Sequence, residues 1–187
     1  HLLSFKKVLI MKEEMLDIYD EAGQRIGVKT YAEVHRDGNW HRVVGLFIIN
    51  SRHEILMQRR SRKKSISPGL LTVSVGGHLR TGEDEYACMK REMHEEMGIE
   101  LDVGPARLLY ACRDSKTSQD KTDNVFLAGY TLHGDIDLSA LHYDKDEVEE
   151  FLYIPCTELK RMFDEGVALG VNRQVMTALF EYMKDSQ

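Results

Sequence analysis

Alternating and continuous apolar stretches predict a series of strands along most of the chain. Residues 15–20 alternate between apolar and polar side chains, and residues 25–29 return after a turn at Gly23, which together predict a hairpin. Residues 43–50 are almost continuously apolar, as is typical of a strand buried on both faces. Further strands are predicted over residues 55–58, 71–75, 101–112, 124–133 and 151–154.

Helical periods and caps predict four helices between and after these strands. One helix begins after Thr81, which with Asp84 resembles the capping-box pattern. It ends at Gly98, because glycine adopts the left-handed conformation at low cost. Residues 113–123 show no hydrophobic period and are predicted to form a polar loop at the rim of the functional site. Together the elements predict mixed α and β structure (α/β or α+β), with a mixed sheet between helices. The predicted helices cover residues 30–34, 82–97, 156–165 and 172–183.

The composition of the 187 residues, 42% hydrophobic and 30% charged, is that of a globular protein. We expect a single domain over residues 15–187 and an N-terminal extension over residues 1–14, derived from a tag. The net charge of −6 argues against a nucleic-acid coat, whose affinity comes from neutralising phosphates. No apolar run has the length of a membrane span, and a homodimer is the expected oligomer if one forms.

The three cysteines, Cys88, Cys112 and Cys156, indicate the compartment of the protein. Their number is odd and their spacing is not that of metal ligands. A reducing cytoplasm is therefore the expected location.

Three carboxylates carry the chemistry of the predicted helix over residues 82–97. Glu92, Glu95 and Glu96 are spaced i, i+3 and i+4, so they share one helical face. Like charges at this spacing destabilise a helix by about 0.2–0.5 kcal/mol per pair, and hard divalent ions prefer carboxylate oxygens. A solvated acidic face is the alternative. The Gly-Gly-His turn before the helix favours a metal site, because backbone carbonyls can join the carboxylates there.

The spacing of these residues matches a known pattern. Gly77 is followed by five residues and Glu83, then by seven residues and the run Arg91-Glu92-Met93-His94-Glu95-Glu96-Met97-Gly98-Ile99. This stretch resembles the complete Nudix box. Seven fixed identities give a chance match on the order of 10⁻⁹ per starting position at average composition.

The resemblance implies the Nudix fold and a hydrolase that cleaves a diphosphate linked to another moiety, with Mg²⁺ or Mn²⁺ as cofactor. A box carboxylate, Glu92 or Glu95, or an acid among residues 146–150, would accept the proton of the attacking water. The implied metal ligands are Glu92, Glu95, Glu96 and the Gly76 carbonyl. Glu83 and Arg91 would brace the loop and the helix behind these ligands. The predicted catalytic residues are Glu92, Glu95 and Arg91.

Residues 59–64 form the densest basic run of this acidic chain, Arg-Arg-Ser-Arg-Lys-Lys. Such a run is either a solvated loop or a clamp for a diphosphate, since arginine donates two parallel hydrogen bonds and lysine supplies a point charge. Its position, shortly before the next strand and the box, favours the clamp. We therefore expect Arg59, Arg60 and Lys64 to bind the substrate phosphates.

Residues 16–154 further resemble type 1 isopentenyl-diphosphate isomerase and its hydrolase-like cousins, in Asp17-Ile18-Tyr19-Asp20-Glu21, His41-Arg42-Val43 and Val75-Gly76-Gly77-His78. In the isomerase pattern, His41 and His78 would match histidine metal ligands and Glu96 an acidic one. His41 and His78 are also candidates for substrate contact.

Two departures from the isomerase pattern argue against isomerase chemistry. The isomerase needs a cysteine where this chain has Gly76, and a Glu-x-Glu where residues 122–124 retain at most one acid. His35 lies one residue away from the position of the other histidine ligand. The complete box and the missing cysteine together indicate phosphoanhydride hydrolysis. The three histidines remain open to three interpretations: a second metal site, substrate contact, or hydrogen-bonded structural residues.

The substrate remains open between nucleoside di- or triphosphates and other organic diphosphates, such as isoprenoid or thiamine-type compounds. Stacking on a nucleobase would require an aromatic ring, and Tyr31, Trp40 and Tyr110 are the candidates. An isomerase that uses a different acid and a non-catalytic diphosphate-binding module are the alternatives to the hydrolase.

Overall fold

A computed structural model describes residues 14–64, 67–118 and 121–185 of the chain. Within these residues it contains nine strands and four α-helices. Residues 1–13 of the predicted extension lie outside the described residues. The strands are β1 Met15–Tyr19, β2 Arg25–Thr30, β3 Trp40–Ile49, β4 Glu54–Arg60, β5 Leu71–Thr72, β6 Val75–His78, β7 Arg107–Ser118, β8 Lys121–His133 and β9 Val148–Pro155; the helices are α1 Tyr31–Asp37, α2 Glu85–Met97, α3 Cys156–Asp164 and α4 Arg173–Asp185.

Strand β3 is the centre of the mixed sheet. It pairs antiparallel with β1, β4 and β6, and parallel with β8 along its whole length, from Trp40 opposite Asn124 to Ile49 opposite His133. Successive side chains of a strand point to opposite faces. Leu46 and Ile48 therefore enter a different core from Phe47 and Ile49, which explains why the sequence of this strand is continuously apolar.

The two cores lie beneath helices on opposite faces of the sheet. On one face, Met89, Met93 and Met97 of α2 are fully buried. On the other, the apolar side of α4 packs on the sheet as predicted. The prediction of a mixed sheet between helices is confirmed. Among the described residues, none of the helices has the length and apolar character that a bilayer crossing requires. The buried residues of α4 are Val175, Met176, Leu179, Phe180 and Met183.

The predicted loop over residues 113–123 was wrong. Most of these residues belong to a long hairpin of β7 and β8, in which Arg113 lies opposite Phe126 and Lys116 lies opposite Asp123. The outer part of this hairpin carries polar side chains on both faces. Its strands therefore lack the apolar alternation from which a half-buried strand is recognised.

The box helix begins three residues later than predicted. Asp84, not Thr81, caps α2, because its side chain accepts a hydrogen bond from the Ala87 N–H at 2.8 Å. Gly82 has a φ of +82°, which no helical residue adopts, so the predicted start was incompatible with the turn before the helix. The end was predicted correctly, since Gly98 is left-handed with a φ of +70°.

Candidate active site

The three box carboxylates of α2 line one large cavity. Glu92, Glu95 and Glu96 face it together with Gly76 and Gly77 of β6, and the cavity has a volume of about 1270 Å³. Strand β6 lies beside α2 because its residues pair antiparallel with the centre of β3. The acidic face of the helix is therefore turned toward an internal space beside the sheet.

Arg91 lies between two of these carboxylates, and the third is held by the sheet. Arg91 Nη1 is 2.6 Å from Glu92 Oε1 and 3.3 Å from Glu95 Oε2. Glu96 Oε2 accepts hydrogen bonds from the Gly76 N–H at 3.3 Å and from Gln58 Nε2 at 3.2 Å. Gln58, a buried residue of β4, thus orients a box carboxylate.

The environment of Glu92 favours a bound cation. Burial, and secondly the neighbouring charge of Glu96, raise the pKa of the Glu92 carboxyl to about 8, although Arg91 opposes this shift. A methyl group at Gly77 would overlap the Glu92 carboxylate, so only glycine at this position leaves room for the carboxylate beside the backbone. Extra positive charge would restore the ionised form, and hard divalent cations bind such carboxylates. The residues present therefore fit Mg²⁺ or Mn²⁺.

Glu83 and Arg91 form the brace that the box predicts. Arg91 Nε and Nη2 donate to the two oxygens of Glu83 at 2.7 and 2.9 Å, and Nη2 also donates to the His78 carbonyl at 2.9 Å. Burial raises the pKa of the Glu83 carboxyl, but hydrogen bonds from Arg91 and the Arg80 N–H outweigh it and lower the pKa overall. The loop, the strand β6 and the helix are thereby locked together.

A second group of possible ligands lies beside the first. His35, His41, His78 and Asp123 each offer one atom, and these atoms lie within 4.8 Å of one another. His78 pairs with Val43, two positions from His41, and Asp123 lies two positions before Val125, the partner of His41. All three side chains therefore lie on one face of the sheet. Helix α1 contributes His35.

The hydrogen bonds of this histidine group leave lone pairs directed at its centre. His35 Nδ1 and His41 Nδ1 lie 2.8 and 3.0 Å from the carbonyl oxygens of Tyr31 and Asn39. These carbonyls can only accept, so each Nδ1 carries a proton, and the Nε2 of a neutral ring in this tautomer is an acceptor.

The centre of the histidine group contains unsatisfied polar atoms. His41 Nε2 and His35 Nε2 lie 3.4 and 3.5 Å from Asp123 Oδ1. His41 Nε2 and Asp123 Oδ1 are buried without a hydrogen-bond partner in the described part of the chain. Burial lowers the pKa of His41 and of His78, so both rings are neutral. The neutral imidazoles of His41 and His78, together with the Asp123 carboxylate, fit a divalent cation.

The predicted phosphate-binding cations divide between the cavity and the surface. Arg60 and Lys64 line the cavity, as does Lys63, which was not predicted. Arg59 is not among the lining residues, and its Nε donates to Glu150 Oε1 at 2.7 Å. Strand β4 continues through Arg59 to Arg60, so the two side chains point to opposite faces.

The predicted stacking residues are also separated by the fold. Tyr31 lines the cavity. Trp40 packs against Phe126 with ring centroids 5.0 Å apart, and Tyr110 packs against the core beneath α4. His94 is exposed, as expected from its position off the acidic face.

Comparison with known proteins identifies the family. Residues 39–172 match the NUDIX domain. The chain belongs to the Nudix family. It is 39% identical over 154 residues to an uncharacterised Nudix hydrolase of Nostoc, covering 82% of this chain and 87% of that protein. It is 30% identical over 163 residues to Nudix hydrolase 3 of Arabidopsis thaliana, covering 83% of this chain but only 21% of that protein.

The resemblance to the isomerase branch is also confirmed. The chain is 27% identical over 156 residues to isopentenyl-diphosphate Delta-isomerase 2 of Photorhabdus laumondii, covering 82% of this chain and 84% of that one. In fold it is similar to the crystal structure of DR0079 from Deinococcus radiodurans, with a TM-score of 0.65, 24% identity, and coverage of 92% and 98%. The predicted Nudix-type pyrophosphohydrolase is confirmed at the level of the family.

Asp123 and Gln58, like Lys63, line the cavity and were not predicted from the sequence to belong to the site. Asp123 was noted only as a surviving acid in a loop, and Gln58 only as the end of a strand. A polar residue at the end of a continuously apolar strand, as in Ile55-Leu56-Met57-Gln58, is the pattern from which Gln58 was recognisable. Asp123 had no comparable local pattern.

Proposed function

We propose that this protein is a divalent-metal-dependent hydrolase that cleaves a phosphoanhydride bond in a small-molecule diphosphate linked to another moiety. The observation that carries the proposal is the convergence of Glu92, Glu95 and Glu96 on one cavity, where the Glu92 carboxylate rests against the backbone of Gly77. Membership of the Nudix family supports it.

The side chains of the site have separate roles in this proposal. A divalent cation at the box would supply positive charge to the phosphate oxygens and acidify a water molecule. Glu92, Glu95, Glu96 and the Gly76 carbonyl would hold it, while Glu83 and Arg91 keep the carboxylates in position. Arg60 and Lys64 would bind the phosphate that is not attacked.

The proton of the attacking water would pass to Glu92 or Glu95. Asp146 and Glu147 also line the cavity, but they are bound to Lys63 and Lys64 at 2.5 Å. Glu149 and Glu150 are not among the lining residues. Burial raises the pKa of the Glu92 carboxyl to about 8 even beside Arg91, which makes Glu92 the strongest candidate for the proton acceptor.

We propose the histidine group as a second cation site. Imidazole suits Fe²⁺ and Zn²⁺ better than Mg²⁺, so His35, His41, His78 and Asp123 would select a transition metal. We further propose a cytoplasmic enzyme, because its odd number of cysteines is typical of a reducing compartment.

A panel of diphosphates tests the proposal. Nucleoside di- and triphosphates, isopentenyl diphosphate and thiamine diphosphate are incubated with Mg²⁺ or Mn²⁺, and the products are identified by mass. We expect at least one compound to gain one water across a phosphoanhydride bond. Glu96→Gln serves as the inactive control and His94→Gln, an exposed change on the same helix, as the active one. The absence of metal-dependent products from every compound would overturn the proposal.

Isomerisation of isopentenyl diphosphate is the second candidate, favoured by the isomerase relative and the histidine group. No cysteine lies among the described residues that line the cavity, so the proton transfer would need another acid, such as Tyr31. Burial, with the charge of Asp123 as a smaller cause, raises the pKa of Tyr31 to about 12, which makes it a poor acid. Exchange of substrate protons in D₂O, without hydrolysis, would establish this candidate.

A further inference from the structure

A row of ion pairs joins the basic residues of the cavity wall to an acidic segment. We call the residues from Arg59 to Lys64 the basic segment, and those from Asp146 to Glu150 the acidic segment. The paired atoms are Arg59 Nε and Glu150 Oε1 at 2.7 Å, Arg62 Nε and Glu149 Oε2 at 3.5 Å, Lys63 Nζ and Asp146 Oδ1 at 2.5 Å, and Lys64 Nζ and Glu147 Oε2 at 2.5 Å.

The pair of Lys64 and Glu147 differs from the others in its position. Both side chains line the cavity, and they are only 25% and 30% exposed. Lys63 and Asp146 also line it but are 71% and 50% exposed, so water screens their attraction much more. Lys64 is therefore a partly buried cation on the cavity wall, and it already has an anionic partner.

The backbones of the two segments are fixed to each other. The Ser61 N–H donates to the Glu147 carbonyl at 3.0 Å, and the Lys64 N–H donates to the Ser61 carbonyl at 3.1 Å. The strands β4 and β9 pair up to Arg60 and Val148, directly beside these residues. A change of partner at Lys64 thus requires only side-chain rotation, without opening of the backbone.

An incoming phosphate and the Glu147 carboxylate compete for the same ammonium group. A phosphate that replaces the carboxylate only exchanges one anionic partner of Lys64 for another. The net gain in binding free energy is therefore smaller than it would be at a lysine without an anionic partner. The released carboxylate then faces solvent in the cavity. A monoanion offers no more charge than Glu147 already supplies, whereas a metal-bound diphosphate offers more oxygen acceptors and more charge.

We propose that Glu147 is a specificity-determining residue, an internal competitor that holds Lys64 in the cavity and yields it only to a multiply charged phosphate. This inference rests on the proposed function, because it takes the cavity as the diphosphate site. Glu147 would raise the KM for every substrate and exclude singly charged anions, without taking part in the chemical step.

The test uses methylenediphosphonate, which is not hydrolysed, with the full chain in Mg²⁺. Calorimetry measures its binding to the wild type, to Glu147→Gln, and to Glu150→Gln, a matched change in a pair outside the cavity. We expect Glu147→Gln to bind the probe about two- to tenfold more tightly and Glu150→Gln to be unchanged. Acetate, as a singly charged competitor, should weaken probe binding more strongly in Glu147→Gln than in the wild type.

A double-mutant cycle assigns the gain to Lys64. In Lys64→Gln, which binds the probe more weakly, the further change Glu147→Gln should bring no improvement. Unchanged or weaker binding by Glu147→Gln, or an equal gain in Glu150→Gln, would overturn the inference. Because binding is measured without turnover, this result is independent of whether any diphosphate in the panel is hydrolysed.

Kinetics on a hydrolysed substrate supply the second measurement. We expect Glu147→Gln to lower KM by the same two- to tenfold with kcat retained, since it removes a competitor of binding only. A large fall in kcat at constant KM would instead make Glu147 the proton acceptor and refute its role as a competitor.

Discussion

The carboxylate cluster and the histidine group are two possible cation sites built in opposite ways. The carboxylates come from a single turn of α2 and lie on a cavity wall, where Glu95 is 34% exposed. The histidine group comes from α1, β3, β6 and β8; His78 and Asp123 line the same cavity, whereas His41 is fully buried. Oxygen ligands on an open wall suit a Mg²⁺ that enters with its substrate, whereas buried nitrogen ligands suit a resident transition metal. Under the proposed function, the fold would hold a substrate-linked cation beside a resident one.

The largest expected effect separates the two sites by activity. Glu96→Gln removes one negative charge and leaves the shape of the side chain, so kcat/KM for the best substrate of the panel should fall by about 10²–10³-fold. Circular dichroism and the melting temperature should match the wild type. Retention of more than a tenth of the activity, with His94→Gln as the reference, would remove Glu96 from the site.

A change in the histidine group should affect metal content instead. His41→Asn removes the Nε2 ligand, and we expect the affinity for Zn²⁺ to fall by about 100-fold. Equilibrium dialysis with elemental analysis measures this. Glu96→Gln is the comparison, because it should retain the tightly bound ion. Equal loss of that ion in both variants would show that the two groups form a single site.

Metal binding to the histidine group should also stabilise the fold. At a free Zn²⁺ concentration 100 times its Kd, the free energy of unfolding should rise by about 2.7 kcal/mol, which raises the melting temperature by about 5–10 °C. Asp123→Asn should abolish this rise. Without metal, the same variant should be no less stable than the wild type, because the amide NH2 that replaces one carboxylate oxygen can donate to His41 Nε2, which is buried without a partner in the described part of the chain. A normal metal-induced rise in Asp123→Asn would exclude Asp123 as a ligand.

The smallest effects come from the caps of the two helices that carry the sites. Thr30 caps α1 in a capping box with Glu33, and Asp84 caps α2. Thr30→Ala and Asp84→Ala should each cost about 1 kcal/mol of stability in urea unfolding. The first should weaken Zn²⁺ binding at His35, and the second should lower turnover. The reverse assignment would contradict the separation of the two sites.

Local patterns were sufficient for the box and insufficient for the hairpin. Carboxylates at i, i+3 and i+4 share a face in any α-helix, so their convergence followed from the helical period alone. Residues 113–117 and 122–123 have no apolar alternation, because all of their side chains are polar, although the two strands pair there. Backbone hydrogen bonds pair β7 with β8 there, and such bonds cannot be recognised from the pattern of apolar side chains.

By itself the sequence determined the family, the central strand and the acidic face of α2, since each depends on residues within a few positions of one another. Only the tertiary structure decided that Asp123 joins His35, His41 and His78. Their approach depends on the parallel register of β3 with β8 and the antiparallel register of β3 with β6. A shift of one residue in either register would turn a ligand to the opposite face, and no spacing along the chain records that register.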